Sequence, residues 1–370
     1  MRILNFLQGR QSMKVPARRL GRAIDGRCAL NRTCLKAGPA LLLVAMLGHA
    51  QANDASATTM SQRVPDTYAQ PAKRVDLGHG RQLNLRCSGS GPQTVLLEAG
   101  AIADSSTWFR VQPLLAARTR VCAYDRAGFG FSSEGPMPRD LDADVADLHA
   151  LIRHAGLSKP LVLVGHSLGS NIARRYAGKY PSDVDAMILV DPPAQDIGRF
   201  APAWQKDEDT LSAQRFAFLH HCEAAAEKHE LPSSDPELSH CLGGPDPHAS
   251  ARLNAVNLSL KSRPAFWRTV LSVLQDNVRV FRQPVSARET HGSMPLIVLS
   301  AANTYADALP RDRKGLEEAR ARTQAQIVAT SSRGTLVHVP DTSHDIQIDQ
   351  PEAVVKAVEQ AMRMARHSPE

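Results

Sequence analysis

Residues 161–170 read Leu161-Val162-Leu163-Val164-Gly165-His166-Ser167-Leu168-Gly169-Ser170. Four apolar residues lead into a serine that has a glycine two positions away on either side. An unbroken apolar run of this length fits a strand covered on both faces. The helical pattern over residues 167–179 begins at the serine itself, so the chain has to turn sharply from strand to helix there. Glycines at 165 and 169 leave room for the helix to fold back against the strand, and Ser167 stands alone at the apex in strained backbone. The first turn of that helix aims its free amides and the positive end of its dipole at any negative oxygen formed nearby. A serine so placed has the context of a nucleophile elbow, Gly-x-Ser-x-Gly between a strand and a helix.

Outward from this turn, the chain alternates short β-rich runs with helical patterns. The runs lie at 82–87, 94–97, 120–123, 161–164, 186–190, 296–300 and 335–339, and several are continuously apolar. Between them, residues 140–155 carry Leu141, Val145, Leu148, Leu151 and Ile152 at helical spacing, and 167–179 and 353–364 read as helices too. The alternation predicts an α/β fold with a doubly wound, mostly parallel sheet. One interval breaks the rhythm. Residues 194–292 hold no buried strand but show helical patterns at 204–221 and 251–283, which predicts a helical cap inserted between two strands. The core is then expected in two parts, 71–193 and 293–370, and the cap is expected over the C-terminal edge of the sheet, where open α/β sheets bind ligands.

The first 52 residues differ from the rest. Of the 44 Lys/Arg and 37 Asp/Glu of the 370-residue chain, they hold nine basic residues and one acid, Asp25. What remains is 35 basic against 36 acidic residues, so the overall charge of +7 gives no reason to expect a nucleic-acid partner. Basic residues, the apolar run Pro39-Ala40-Leu41-Leu42-Leu43-Val44-Ala45-Met46-Leu47-Gly48 and small residues at Ala50 and Ala52 fit a signal peptide over 1–52, cleaved after Ala52. The run is about half the length a bilayer span needs, so no stable membrane span is expected in the mature chain. The Ala/Ser/Thr-rich residues 53–70 read as a linker. Export, to the periplasm or medium, would leave Cys87, Cys122, Cys222 and Cys241 in an oxidising compartment. Cys87 and Cys122 lie in strands and are expected as buried thiols. Cys222 and Cys241 flank a polar segment and are the expected disulfide. His220, His221, His229, His240 and His248 crowd the same segment, but without the tight paired spacing that zinc sites favour.

A serine hydroxyl needs a base. Among the 14 histidines, His344 follows the last strand, on the edge expected to carry Ser167. With it in place the chain resembles the α/β-hydrolase superfamily, in its branch of capped serine esterases and lipase-like hydrolases. The matching pieces are residues 95–108, 121–132, 161–170, 186–193, 294–300 and 342–352. The resemblance implies a serine hydrolase acting on a small-molecule ester through an acyl-enzyme, with no cofactor and no metal. It places the oxyanion hole at the backbone N–H groups of Leu168 and Ala101. It implies an acid between the two in sequence, and two residues compete: Asp307, seven residues past the strand at 296–300, and Asp191, directly after the strand at 186–190. Asp191 is the preferred triad acid, and a turn or capping role is its plain alternative. Asp125 and Arg126 read as a structural ion pair or turn. Serine at the elbow argues against the dehalogenases and epoxide hydrolases of this superfamily, which use aspartate there. Amides, lactones, activated carbon–carbon bonds and a non-catalytic binder of the same fold stay open.

Overall fold

The computed structural model describes residues 63–366. The expected signal peptide and most of the linker lie outside them. Eight strands form one sheet: β1 (Lys73–Gly78), β2 (Arg81–Ser88), β3 (Thr94–Glu98), β4 (Arg120–Tyr124), β5 (Leu161–His166), β6 (Val184–Val190), β7 (Leu296–Ala301) and β8 (Gly334–Val339). Their spatial order is β1-β2-β4-β3-β5-β6-β7-β8. β1 and β2 pair antiparallel, as do β2 and β4, and every other pair is parallel. The helices are α1 (Val111–Ala116), α2 (Leu141–Ala155), α3 (Leu168–Lys179), α4 (Ile197–Phe200), α5 (Pro202–Glu227), α6 (Ser239–Leu242), α7 (Ala251–Lys261), α8 (Pro264–Phe281), α9 (Pro310–Val328), α10 (Ile346–Asp349) and α11 (Pro351–Arg366).

Side chains alternate across each strand, so the central strands feed two cores. Val95, Leu97, Val162, Val164, Ile188 and Val190 pack on one face with Trp108 and with Val354 and Val358 of α11. Leu96, Leu163, Met187 and Leu189 pack on the other with Ile172 and Tyr176 of α3 and Leu148 of α2. Burial on both faces explains why these strands read as unbroken apolar runs. Local signals set the helix ends. Asp140 caps α2 by accepting from the Ala143 N–H, and Gly156 ends it at φ 64°.

All helices from α4 to α8 lie between β6 and β7 in sequence. α8 buries Phe266, Trp267, Val270 and Leu274. Its Phe266 meets Phe129 edge to face at 5.9 Å, and its Ser272 Oγ accepts from the Arg139 N–H at 2.7 Å. These partners follow β4, so the inserted helices sit against loops at the C-terminal edge of the sheet. The helical run expected over 251–283 is two helices. Pro264 has no N–H to continue α7 and instead opens α8 at its first position.

Three features depart from the expectations. β1, an exposed antiparallel edge, carried no apolar signal. α9 buries Leu316, Ala319 and Ile327, but Asp312, Arg320, Thr323 and Gln324 as well, so its inward face has no apolar stripe. Cys87 and Cys122 are not buried thiols. They face each other across the antiparallel β2–β4 pair, with Cα atoms 4.0 Å apart, and form a disulfide. Direct cross-strand partners bring their β-carbons within bonding reach. β3 separates these strands in sequence, which hid the pairing. The Cys222–Cys241 disulfide is present as expected and joins α5 to α6. Near the start of the described residues, the end of the expected linker is folded. Residues 66–69 form a short 3-10 helix, and the Val64 N–H donates to the His248 carbonyl at 3.0 Å.

Candidate active site

Ser167 stands between β5 and α3 with φ 52° and ψ −122°, strained for a residue with a β-carbon. The strain is held from several sides. The Ser167 N–H donates to the Val190 carbonyl at 3.0 Å, and the Ser170 hydroxyl donates to the Gly165 carbonyl at 2.8 Å. A β-carbon at position 165 would lie 2.4 Å from the Gly169 carbonyl oxygen, and one at 169 would lie 2.5 Å from that of Glu98. Only glycine fits at either place. Leu168 is the first residue of α3, so its N–H has no partner within the helix.

The loop after β3 touches the elbow. A β-carbon at Gly100 would lie 3.5 Å from Ser167 Cβ. Arg126 holds this loop by its carbonyls: Nη1 donates to Ala99 O at 2.6 Å, and Nη2 to Ala101 O at 2.9 Å and to Gly100 O. The same guanidinium pairs with Glu98 at 2.6 Å, and Tyr124 donates to that carboxylate. With its carbonyls drawn to Arg126, the loop has its amides left for other partners. Asp125 and Arg126 are therefore not an ion pair with each other. Asp125 instead accepts from Asn84 Nδ2, the Ser105 N–H and the Phe131 N–H, each at 2.9 Å.

His344 lies in the loop between β8 and α10. Its Nδ1 lies 2.7 Å from Asp191 Oδ2. Asp191 directly follows β6 and is also strained, at φ 44°. Its two oxygens are divided. Oδ2 accepts from His344 and from Thr304 Oγ1 at 2.6 Å; Oδ1 accepts from Arg320 Nη1 at 2.9 Å, the Ala301 N–H at 3.2 Å and Gln324 Nε2 at 3.2 Å. Asp307, the competing acid, is exposed on the loop after β7 and is not joined to His344. The end of β7 and the segment after it thus supply donors to Asp191, through the Ala301 N–H and Thr304 Oγ1, and not a carboxylate to His344.

Burial alone would lower the His344 pKa, but the hydrogen bond and charge of Asp191 outweigh it and hold it above the ordinary histidine value. Burial likewise pushes Asp191 up, and the contacts with His344 and the charge of Arg320 reverse this to leave it below the usual carboxylate value. His166, beside the serine, is the opposite case. Burial and then the nearby charge of His344 push it down to about 4, so it is neutral at neutral pH. Its Nε2 donates to the His344 carbonyl at 3.1 Å, which ties the histidine loop to the elbow. Ser167 Oγ makes no hydrogen bond among the described residues.

The sequence singled out Ser167, Leu168, Ala101, Asp191 and His344, and the structure gathers them at one edge of the sheet. It did not single out His166, Thr304, Arg320 or Gln324. His166 had a signal, its place inside the elbow motif; the other three had none without knowledge of α9 and of the loop after β7. In the inserted helices Cys222 and Cys241 are spent on each other. Among the described residues no group of three or more His, Cys, Asp or Glu is placed to hold a metal ion. None of the described helices is long and apolar enough to cross a membrane.

Residues 95–357 match the model of the alpha/beta hydrolase family. An uncharacterised protein of Bacillus subtilis is 24% identical over 271 residues, 73% of this chain and 83% of that protein. N-formylmaleamate deformylase of Pseudomonas putida is 34% identical over 122 residues, which span 33% of this chain and only 45% of that enzyme. Among solved structures, a thermophilic esterase from Thermogutta terrifontis superposes with a TM-score of 0.52 at 20% identity, covering 80% of this chain and 99% of that one. At that identity the likeness is one of fold.

Proposed function

Since the chain belongs to the alpha/beta hydrolase family, we propose that it is a serine hydrolase that cleaves carboxylic esters through an acyl-enzyme on Ser167. The observation that carries this reading is the 2.7 Å contact between His344 Nδ1 and Asp191 Oδ2, at the same sheet edge as the strained serine. With Nδ1–H held by the carboxylate, the neutral imidazole presents Nε2 as the acceptor. Ser167 Oγ attacks the ester carbonyl carbon as His344 Nε2 takes the hydroxyl proton. The oxygen that becomes negative is stabilised by the N–H groups of Leu168 and Ala101, worth about 10²–10³ in rate per donor. Collapse expels the alcohol, which leaves with the proton from His344. Water then repeats the attack on the acyl-enzyme with the same base. A loose serine–histidine hydrogen bond is common without substrate, and the free Ser167 hydroxyl fits that state.

Residues 71–193 and 293–370 act in this reading as the catalytic core and 194–292 as its cap. The protein is also proposed to work outside the cytoplasm, after removal of 1–52. Two disulfides support this, because such bonds persist in oxidising compartments. A second reading, hydrolysis of an amide C–N bond, is favoured by the partial likeness to a deformylase. Matched esters, amides and lactones of graded acyl length, given to the purified mature protein and to Ser167→Ala, separate these readings. Ester turnover that is lost in the variant supports the first. Turnover of amides alone replaces it with the second. No turnover of any member by the folded wild type leaves a non-catalytic binder.

A further inference from the structure

The carboxylate that orients His344 is itself held by a cation. Arg320 lies on α9, is 7% exposed, and donates Nη1 to both Asp191 Oδ1 at 2.9 Å and Ser300 Oγ at 3.0 Å. Its Nη2 and Nε go to Glu317 Oε2 at 2.6 and 3.1 Å. Gln324, one turn further along α9, adds a second donor to the same carboxylate oxygen. A carboxylate that serves only to orient a histidine needs donors, not a buried cation, and a buried guanidinium costs several kcal/mol to desolvate.

We propose that Arg320 is a positioning residue that sets the working pH of the site. It fixes the Asp191 carboxylate through its outer oxygen and offsets part of the negative charge that His344 would otherwise feel, with Glu317 as the opposing charge that trims the effect. This rests on the reading of His344 as the general base. The groups facing the pair come from five elements: Arg320 and Glu317 from α9, Asp345 beside His344, His166 from the end of β5, Tyr305 from the loop after β7, and Asp191 itself after β6. Of these only Arg320 carries a fixed positive charge. His166 is neutral in the working range, because burial and the charge of His344 depress it to about 4. Tyr305 is half-buried and neutral, its pKa raised by desolvation and by the charge of Asp191.

The sign follows from charge. Arg320 repels a proton arriving on His344, so the base stays neutral and competent to a lower pH than Asp191 alone would allow. Removing Arg320 moves the acid limb of activity to higher pH. Removing the charge of Glu317 strengthens the effect of Arg320 and moves the limb the other way. Arg320→Lys keeps the charge but cannot hold Asp191 and Ser300 with one nitrogen while two others hold Glu317. It should hold the limb near its wild-type place while lowering the plateau.

The test is the rate of Ser167 labelling by a fluorophosphonate as a function of pH, in the wild type, Arg320→Met, Arg320→Lys and Glu317→Gln. Arg320→Met should displace the acid limb upward by on the order of 0.5–1 pH unit, as for a charge a few ångströms beyond the direct partner. Glu317→Gln should displace it downward. Coincident limbs in all four proteins would overturn the proposal and leave Arg320 a structural ion pair. If Arg320→Met does not fold, Glu317→Gln decides alone, since Glu317 is partly exposed and its loss leaves Asp191 fully bonded. If folded wild type is not labelled at all, the reading of Ser167 and His344 fails, a result distinct from four labelled proteins with one shared limb.

Discussion

Gly169→Ala tests the packing between the elbow and the loop that faces it. The new β-carbon would stand 2.5 Å from the Glu98 carbonyl oxygen, 2.6 Å from that of Ala99 and 2.9 Å from Glu98 Cγ. Two of these atoms are backbone. Glu98 is held further by Arg126, so the loop cannot simply rotate away. Ordinary contact between such atoms needs about 3.5 Å, so α3 and the loop after β3 must part by roughly 1 Å. Those two segments carry the Leu168 and Ala101 amides, so the two proposed donors move apart. A displacement of about 1 Å in such a site can cost ~10²-fold, and overpacking costs about 1–3 kcal/mol of stability. The expectation is a kcat lowered about a hundredfold with KM little changed, in a protein that still melts cooperatively at a lower temperature. Gly178→Ala is the matched control. It lies on the same helix with nothing within 4 Å of its β-carbon, and it should keep wild-type activity and gain a few tenths to about 1 kcal/mol. Ester hydrolysis and thermal melts of both variants supply the data. A folded Gly169→Ala enzyme with kcat within about threefold of wild type would refute the placement of the oxyanion hole between these segments.

Asp191→Asn should lower kcat by about 10⁴ while substrate binding holds, and Asp307→Asn should be silent, as expected for an exposed residue not joined to His344; a severe loss in Asp307→Asn alone would reverse the choice of acid. Replacing Cys222 and Cys241 by alanine opens a loop with a sequence separation of 19, which corresponds to about 3 kcal/mol by chain entropy. Denaturant melts should show that loss, and peptide maps of unreduced wild type should show both linked pairs, 222–241 and 87–122. Glu289 is half-buried, and its partial desolvation raises its pKa, but hydrogen bonds from His291 and Arg174 bring it down to about 2. A depressed carboxylate stabilises the fold above its unfolded value of about 4.3 and loses that contribution as pH falls toward the folded value. Glu289→Gln should therefore destabilise at neutral pH and flatten the fall in melting temperature between about pH 4.5 and 2.

The central strands and the elbow were legible in the sequence because one local rule decided each of them. Apolar runs buried on both faces mark β3, β5, β6 and β7, and the glycines at 165 and 169 mark the turn. His344 and Asp191 were legible by position, each following a strand at the same edge. What stayed hidden depended on contacts between distant segments. α9 buries Arg320 and Gln324 against Asp191 and Thr323 against Gln195, and these polar side chains interrupt the apolar positions Leu316, Ala319 and Ile327, so its periodicity is blurred. The Cys87–Cys122 bond depends on a strand order in which β4 crosses to lie between β2 and β3. Asp125 and Arg126 are adjacent in sequence, yet Asp125 turns to Asn84, Ser105 and Phe131 and Arg126 to Glu98 and the loop after β3, which no pattern of neighbouring charges discloses.

Whether Ser167 is the nucleophile is decided by treating the folded protein with a fluorophosphonate and locating the adduct by peptide mass spectrometry. A single adduct on the peptide bearing Ser167, absent from Ser167→Ala and formed slowly in His344→Ala, is the expected result. Reaction at another serine, or equal labelling of wild type and Ser167→Ala, would contradict it.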